Sequence, residues 1–110
     1  MEAACRGARS AGGLTIGILP GDTPDDANEW VELVIPTGMG IARNAIIVRS
    51  ARALIAIDGG PGTLSEIAFA LQLGGPVVSL GSWDVSADIV KADTPHSAVE
   101  LALQLATRSD

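Results

Sequence analysis

The chain has 110 residues, 47% of them hydrophobic and 18% charged, which excludes an intrinsically disordered chain and suits one small domain. Its net charge is −6 and its seven basic residues are scattered, so we expect neither nucleic acid nor a membrane as a partner. A single cysteine and the lack of a membrane-length apolar run predict a cytoplasmic protein. One cysteine and one histidine give no metal-ligand spacing, so no metal site is predicted.

The first half of the chain alternates between helix, strand and loop. Residues 2–11 predict a helix that is closed by a glycine pair, and "LTIGILP" (14–20) predicts a buried strand. The acidic segment 21–30 follows, with a spacing that matches no metal-binding loop, so a solvated turn is favoured. "VELVIPT" (31–37) predicts the second strand.

The second half continues this alternation. We expect helices over 38–51, 63–73 and 95–107, the last capped by Thr94, and strands over 53–58, 77–80 and, more weakly, 87–92. The final helix is expected to present one apolar face, made of Val99, Ala102, Leu103 and Ala106. Trp30 and Trp83 are interpreted as packing or interface residues.

The helix over 63–73 is apolar nearly all round. Its helical spacing places four side chains on one face: Leu64, Ile67, Ala68 and Leu71. Phe69, Ala70 and Leu73 extend the apolar surface beyond that face. A helix of this kind is buried or lies at an interface, so we expect the protein to form a homo-oligomer, a dimer or higher, through it.

Short apolar strands that alternate with helices are typical of βαβ units. Because these strands are continuously apolar, both faces of their sheet should be covered. The sequence therefore predicts an α/β fold of three layers with a mainly parallel sheet. No linker or repeat interrupts it, so residues 1–110 are expected to form a single domain.

"IDGGPGTLSE" (57–66) joins a predicted strand to a predicted helix at the sheet edge where α/β proteins bind ligands. Gly59, Gly60 and Gly62 would let a ligand approach the main chain, and the N–H groups of the helix N-terminus favour anions. The spacing lacks the third glycine of a dinucleotide fingerprint and the lysine of a P-loop. A site for a small phosphorylated ligand is the resulting hypothesis.

Two charged residues near this loop have alternative interpretations. Thr63 and Glu66 have the spacing of a capping box, although Glu66 would also lie beside a ligand. Arg43 lies in the early turns of its predicted helix, after the glycine-rich "TGMG" (37–40), and successive parallel units place both helix N-termini at one sheet edge. Arg43 and Glu66 could therefore converge on one crevice, or Arg43 could be a solvated surface residue.

At this point "GGPGTLSE" (59–66) resembles the Gly-Gly-x-Gly-Thr-x-x-Glu motif of a Rossmann-like family. That family includes the cytokinin riboside 5′-monophosphate phosphoribohydrolases, long labelled lysine decarboxylases. The segment from Thr37 to Val78, and "MEAACRGARSAGGLTIGILPG" (1–21), are more similar to a bacterial branch near the molybdenum-cofactor carrier proteins. The resemblance covers nearly the whole chain.

The resemblance implies that the loop from Gly59 to Thr63 holds the phosphate of a nucleotide or of a nucleotide-like cofactor such as the molybdenum cofactor. In the hydrolase branch, residues like Arg43 and Glu66 are the catalytic pair that cleaves the base–ribose bond. We expect that no other cofactor is required. The ligand-binding residues expected on this basis are Thr37, Gly38, Gly40, Arg43, Asn44, Gly59, Gly60, Gly62, Thr63 and Glu66.

Two departures from the family pattern favour binding over hydrolysis. Asp58 occupies the position where the hydrolases carry proline, and an acid there repels phosphate. Met1 aligns with an internal position of the family, so the fold is expected to lack its first one or two βα units. The main hypothesis is a binding protein. The alternatives are a nucleoside 5′-monophosphate phosphoribohydrolase and a remnant or oligomeric scaffold that binds nothing.

Overall fold

The computed structural model describes residues 1–108 and confirms the α/β class with parallel strands. The elements are α1 (Glu2–Ser10), β1 (Ile16–Leu19), β2 (Leu33–Pro36), α2 (Arg43–Ser50), β3 (Leu54–Ile57), α3 (Pro61–Gln72), β4 (Val77–Leu80), β5 (Val90–Ala92) and α4 (Pro95–Arg108). Short 3₁₀ turns occupy Pro24–Asp26 and Gly40–Ala42. Residue contacts divide the chain into two compact units, Met1–Arg43 and a second unit that begins at Asn44.

The first unit contains a two-stranded parallel sheet. β1 pairs with β2 from Ile16 opposite Leu33 to Leu19 opposite Pro36. Buried Thr15 links the residues that precede β1 and β2. Its hydroxyl donates to the Trp30 carbonyl at 2.6 Å and accepts from the Glu32 N–H at 3.0 Å. These bonds fix the register without a tight turn, which parallel strands cannot use.

The second unit contains the sheet β3-β4-β5, whose strands are all parallel. Side chains of β3 alternate between two apolar clusters, one on each face of the sheet. Leu54 and Ala56 pack in the cluster that includes Ile67 of α3, whereas Ile55 packs against the cluster that includes Ala98 of α4. Helices thus cover both faces of this sheet, in the three layers that the sequence predicts.

Two of the predicted helices begin at other residues in the structure. The helix expected over 38–51 begins only at Arg43, because Gly38 and Gly40 have φ values of +63° and +59° and interrupt helical geometry. The helix expected over 63–73 begins earlier, at Pro61.

None of the helices described within residues 1–108 is long and apolar enough to cross a bilayer.

The expected apolar face of α4 is also wrong in part. Ala98 and Ala102 are buried, whereas Val99 and Leu103 are 50% and 62% exposed. Alanines on the inner face let the helix lie close to the sheet, whereas Val99 and Leu103 point away from it. Thr94 does cap α4 as predicted, since its hydroxyl accepts from the Ser97 N–H at 3.0 Å.

The outer surface of α3 remains apolar in the folded chain. Phe69 and Leu73 are 41% and 47% exposed. Ala68, which was expected among the buried residues, is exposed, whereas Ala70 is buried.

We expect copies of the chain to associate through this apolar surface of α3, because burial of exposed apolar area favours association. Phe69→Glu should therefore shift the sedimentation coefficient from oligomer to monomer.

Leu103→Glu on α4 is the matched control for this prediction. It places the same charge at a more exposed leucine and should leave the sedimentation coefficient unchanged. A wild-type chain that sediments as a monomer at micromolar concentration would remove the basis for the α3 interface.

Candidate functional site

The loop that follows β3 starts with a strained residue, Asp58. Its N–H donates to the Leu80 carbonyl at 3.3 Å, which extends the ladder between β3 and β4. Its φ is +47°, a left-handed conformation that aspartate tolerates better than most residues other than glycine. The Ser82 hydroxyl donates to the Asp58 carbonyl at 2.6 Å and holds this turn in place.

The three glycines of the loop are not equivalent. Gly59 has a φ of +106°, and a Cβ there would overlap the side chain of Thr63, so this glycine is required by the loop itself. A Cβ on Gly60 or Gly62 would meet no atom of the described residues within 4 Å. The main chain at these two positions is therefore accessible to a ligand.

Helix α3 begins at Gly60 as N-cap, followed by Pro61 as first helical residue, so the predicted capping box of Thr63 and Glu66 is wrong. Proline suits this position because its fixed φ is helical and it lacks the N–H that would be left unpaired. Thr63 is the third helical residue, and Glu66 lies in the second turn, not the first.

The first turn of α3 presents unpaired donors. Within residues 1–108, no group accepts a hydrogen bond from the backbone N–H of Gly62 or of Thr63. Such groups, together with the positive end of the helix dipole, favour an anion at the helix N-terminus. The start of α3 therefore carries two backbone donors that no described residue uses.

Asn44 supports this turn from α2. It is 1% exposed, and its side-chain amide donates to the Gly62 carbonyl at 3.3 Å and to the Ser65 hydroxyl at 2.7 Å. The Ser65 hydroxyl in turn donates to the Gly62 carbonyl at 2.8 Å. The sequence predicts Asn44 as a ligand-binding residue; in the structure its amide orients the first turn of α3.

A pocket of about 470 Å³ adjoins the loop. Its lining residues come from the carboxyl ends of β3 and β4: Asp58, Gly59, Gly81, Ser82, Trp83 and Asp84. The Trp83 indole N–H donates to the Gly60 carbonyl at 3.2 Å, and Lys91 pairs with Asp84 at 2.7 Å. Sequence reasoning missed the wall over 81–84, although its place directly after a predicted strand was an available signal.

The other predicted site residues lie at the end of β2 in the first unit. The Thr37 hydroxyl donates to the Leu19 carbonyl at 2.7 Å, and the N–H groups of Gly38 and Gly40 donate to the carbonyls of Gly21 and Pro20. These bonds tie the turn at 37–40 to the carboxyl end of β1. The Thr37 hydroxyl is thus engaged by the backbone.

Arg43 is not simply a solvated surface residue. It is half-buried, and its guanidinium donates to the Ile18 carbonyl at 2.6 Å within the first unit. Glu66 belongs to the second unit. The convergence of Arg43 and Glu66 on one crevice stays a prediction.

The chain has similar proteins of known structure. A model of the SLOG cluster4 family matches residues 1–108. The molybdenum cofactor binding protein from the phototrophic bacterium Rippkaea orientalis is 38% identical with a TM-score of 0.87, and the match covers 96% of this chain and 70% of that one. The Moco carrier protein from Chlamydomonas reinhardtii is 37% identical with a TM-score of 0.83, over 98% and 71%. A protein of Archaeoglobus fulgidus is 46% identical over 103 residues, which are 94% of this chain and 68% of its own length.

The different roles of the glycines predict opposite effects of alanine on stability. Gly59→Ala should lower the free energy of unfolding by at least about 2 kcal/mol, because it combines a positive φ with overlap at Thr63. Gly62→Ala should raise it by about 0.5–1 kcal/mol, because alanine is the better helix former and its methyl has space. Urea denaturation measures both, and equal losses would contradict the distinction.

Proposed function

Because the chain belongs to the SLOG cluster4 family, we propose that it binds the molybdenum cofactor, a phosphorylated pterin that carries molybdenum, in the cytoplasm. The observation that carries this proposal is similarity over nearly the whole chain to two proteins named for binding or carrying that cofactor. A nucleotide, which shares the phosphate and a nitrogen-rich ring, is the alternative ligand.

The loop after β3 fits the phosphate of such a ligand. The N–H groups of Gly62 and Thr63 are available, and the surfaces of Gly60 and Gly62 are open. Because Asn44 holds the Gly62 carbonyl, the donors are oriented before the ligand arrives. In this proposal the α3 N-terminus binds the phosphate and Asn44 is a positioning residue.

Arg43, Glu66 and the turn at 37–40 complete the proposed ligand-binding set. A guanidinium is suited to hold an anionic group in a fixed orientation. Thr37, Gly38 and Gly40 would contribute carbonyl oxygens and main-chain surface only, since their N–H groups and the Thr37 hydroxyl already donate to carbonyls at the carboxyl end of β1. The proposed activity is binding and transfer of an intact ligand, so no bond is made or broken.

The test is retention of the molybdenum cofactor by the purified chain, measured as molybdenum and pterin that co-elute with it. Wild type should retain the cofactor, and Gly62→Ala should lose it without loss of stability, since the methyl group fills the space of the phosphate. Thr63→Val, which removes only a hydroxyl, should weaken retention less.

Gly75→Ala is the matched control for this experiment. Gly75 follows α3 at its other end, and a Cβ there would make only an ordinary contact of 3.6 Å with the Ala70 carbonyl oxygen. The Gly75→Ala variant should retain the cofactor as wild type does. If no cofactor or phosphate ester binds the wild-type chain, the loop is a turn and a helix start without ligand.

The hydrolase alternative is tested with AMP. We expect AMP to remain intact, because Glu66 lies beyond the first turn of α3 and Asp58 adds an acid at the end of β3. Free adenine is measured by chromatography. Adenine released by wild type and not by Glu66→Gln would replace binding with nucleoside monophosphate hydrolysis as the function.

A further inference from the structure

The pocket beside the loop holds two carboxylates with different surroundings. Asp84 is neutralised by Lys91, whose ammonium lies 2.7 Å from its carboxylate. Asp58 is exposed, and no group in residues 1–108 donates a hydrogen bond to its carboxylate or forms an ion pair with it. Of the two carboxylates in the pocket, the one without a partner among residues 1–108 therefore belongs to the residue with the positive φ.

This carboxylate is held in a defined place. The Asp58 backbone is fixed on one side by the ladder to Leu80 and on the other by the Ser82 hydroxyl. One of its carboxylate oxygens would lie 3.6 Å from a Cβ on Gly81, which places the carboxylate beside Gly81 in the pocket wall. A strained residue that the surrounding structure holds in place is a common feature of ligand-binding sites.

The unpaired carboxylate of Asp58 lies next to the helix end that is proposed to bind phosphate. The two groups would therefore contact opposite ends of one bound ligand. The phosphate is repelled by Asp58 and attracted by the α3 N-terminus. The pocket instead favours a group that offers N–H donors. Two parallel donors match the two oxygens of a carboxylate, as in bidentate pairs with arginine.

Pterin and guanine rings carry this arrangement. Each has a ring N–H adjacent to an exocyclic amino group, on the 2-amino-4-oxo edge of its pyrimidine ring. Adenine lacks the ring N–H, and hypoxanthine lacks the amino group. We propose that Asp58 accepts both hydrogen bonds of a 2-amino-4-oxo-pyrimidine edge and thereby selects the ring of the bound phosphate ester.

Trp83 supplies the apolar side of this site. Its indole is 38% exposed, lines the pocket, and is fixed at its edge by the hydrogen bond to the Gly60 carbonyl. A ring whose orientation is fixed loses little entropy when a second aromatic ring packs on it. This proposal differs from the sequence-based interpretation of Trp83 as a packing or interface residue.

The inference rests on the proposed function and is tested with four phosphate esters: GMP, IMP, AMP and 6-hydroxymethylpterin phosphate. Titration calorimetry of the wild-type chain should give affinities for GMP and for the pterin about tenfold or more above that for AMP, with IMP between them, because hydrogen bonds to a charged acceptor are strong.

Asp58→Asn should remove this preference and leave AMP binding unchanged or stronger. Asparagine tolerates the positive φ of position 58, so the fold should persist, which the melting temperature checks. Asp84→Asn is the matched control: it removes the same charge from the same pocket and should keep the preference for GMP over AMP. In a Trp30→Phe background, which leaves one tryptophan, the pterin should quench Trp83 fluorescence.

The outcomes separate this inference from the proposed function. If Asp58→Asn retains the preference, or wild type shows none, while Gly62→Ala still abolishes binding, Asp58 does not select the ring and the phosphate site stands. If wild type binds none of the four esters, retention of the molybdenum cofactor decides in their place: equal retention by Asp58→Asn and wild type overturns the inference. If wild type does not retain the molybdenum cofactor either, both the inference and the proposed function are overturned.

Discussion

The buried amide of Asn44 is the interaction on which the candidate site depends. It reaches from the start of α2 to the Gly62 carbonyl and the Ser65 hydroxyl, and it is 1% exposed. A buried amide without partners is costly, so its hydrogen bonds are effectively obligatory. Because they end on the first turn of α3, the direction of the free N–H groups there is set by the core and not by the loop.

Strand order then brings the remaining parts together. β3 and β4 are adjacent and parallel, so the segments that follow them leave the sheet at the same edge. One segment supplies Asp58 and the glycine-rich loop, and the other supplies Ser82 and Trp83, which bond back to Asp58 and Gly60. The site is thus built from two strand ends that support each other.

Much of this fold could be predicted from the sequence, for identifiable reasons. β4 coincides with its predicted range because a short apolar run stands between clear turn signals. The start of α3 could not be placed, because Thr63 and Glu66 mimic a capping box while Pro61 also suits a first helical position. The inner face of α4 was predicted from helical spacing alone, and it is packing against β4 and β5 that buries Ala98 and Ala102 instead of Val99 and Leu103. The wall over 81–84 has no motif of its own, so its place directly after the predicted strand 77–80 was the one sequence signal for it.

The edge of the second sheet that β5 forms affects how the protein can assemble. β5 is an edge strand of only three residues, and its central residue, Lys91, carries the charge that meets Asp84. Short edges that bear lysine are poor templates for another strand, because pairing would crowd a charge against the incoming chain. The β5 edge therefore resists sheet extension and amyloid-like stacking by a second chain.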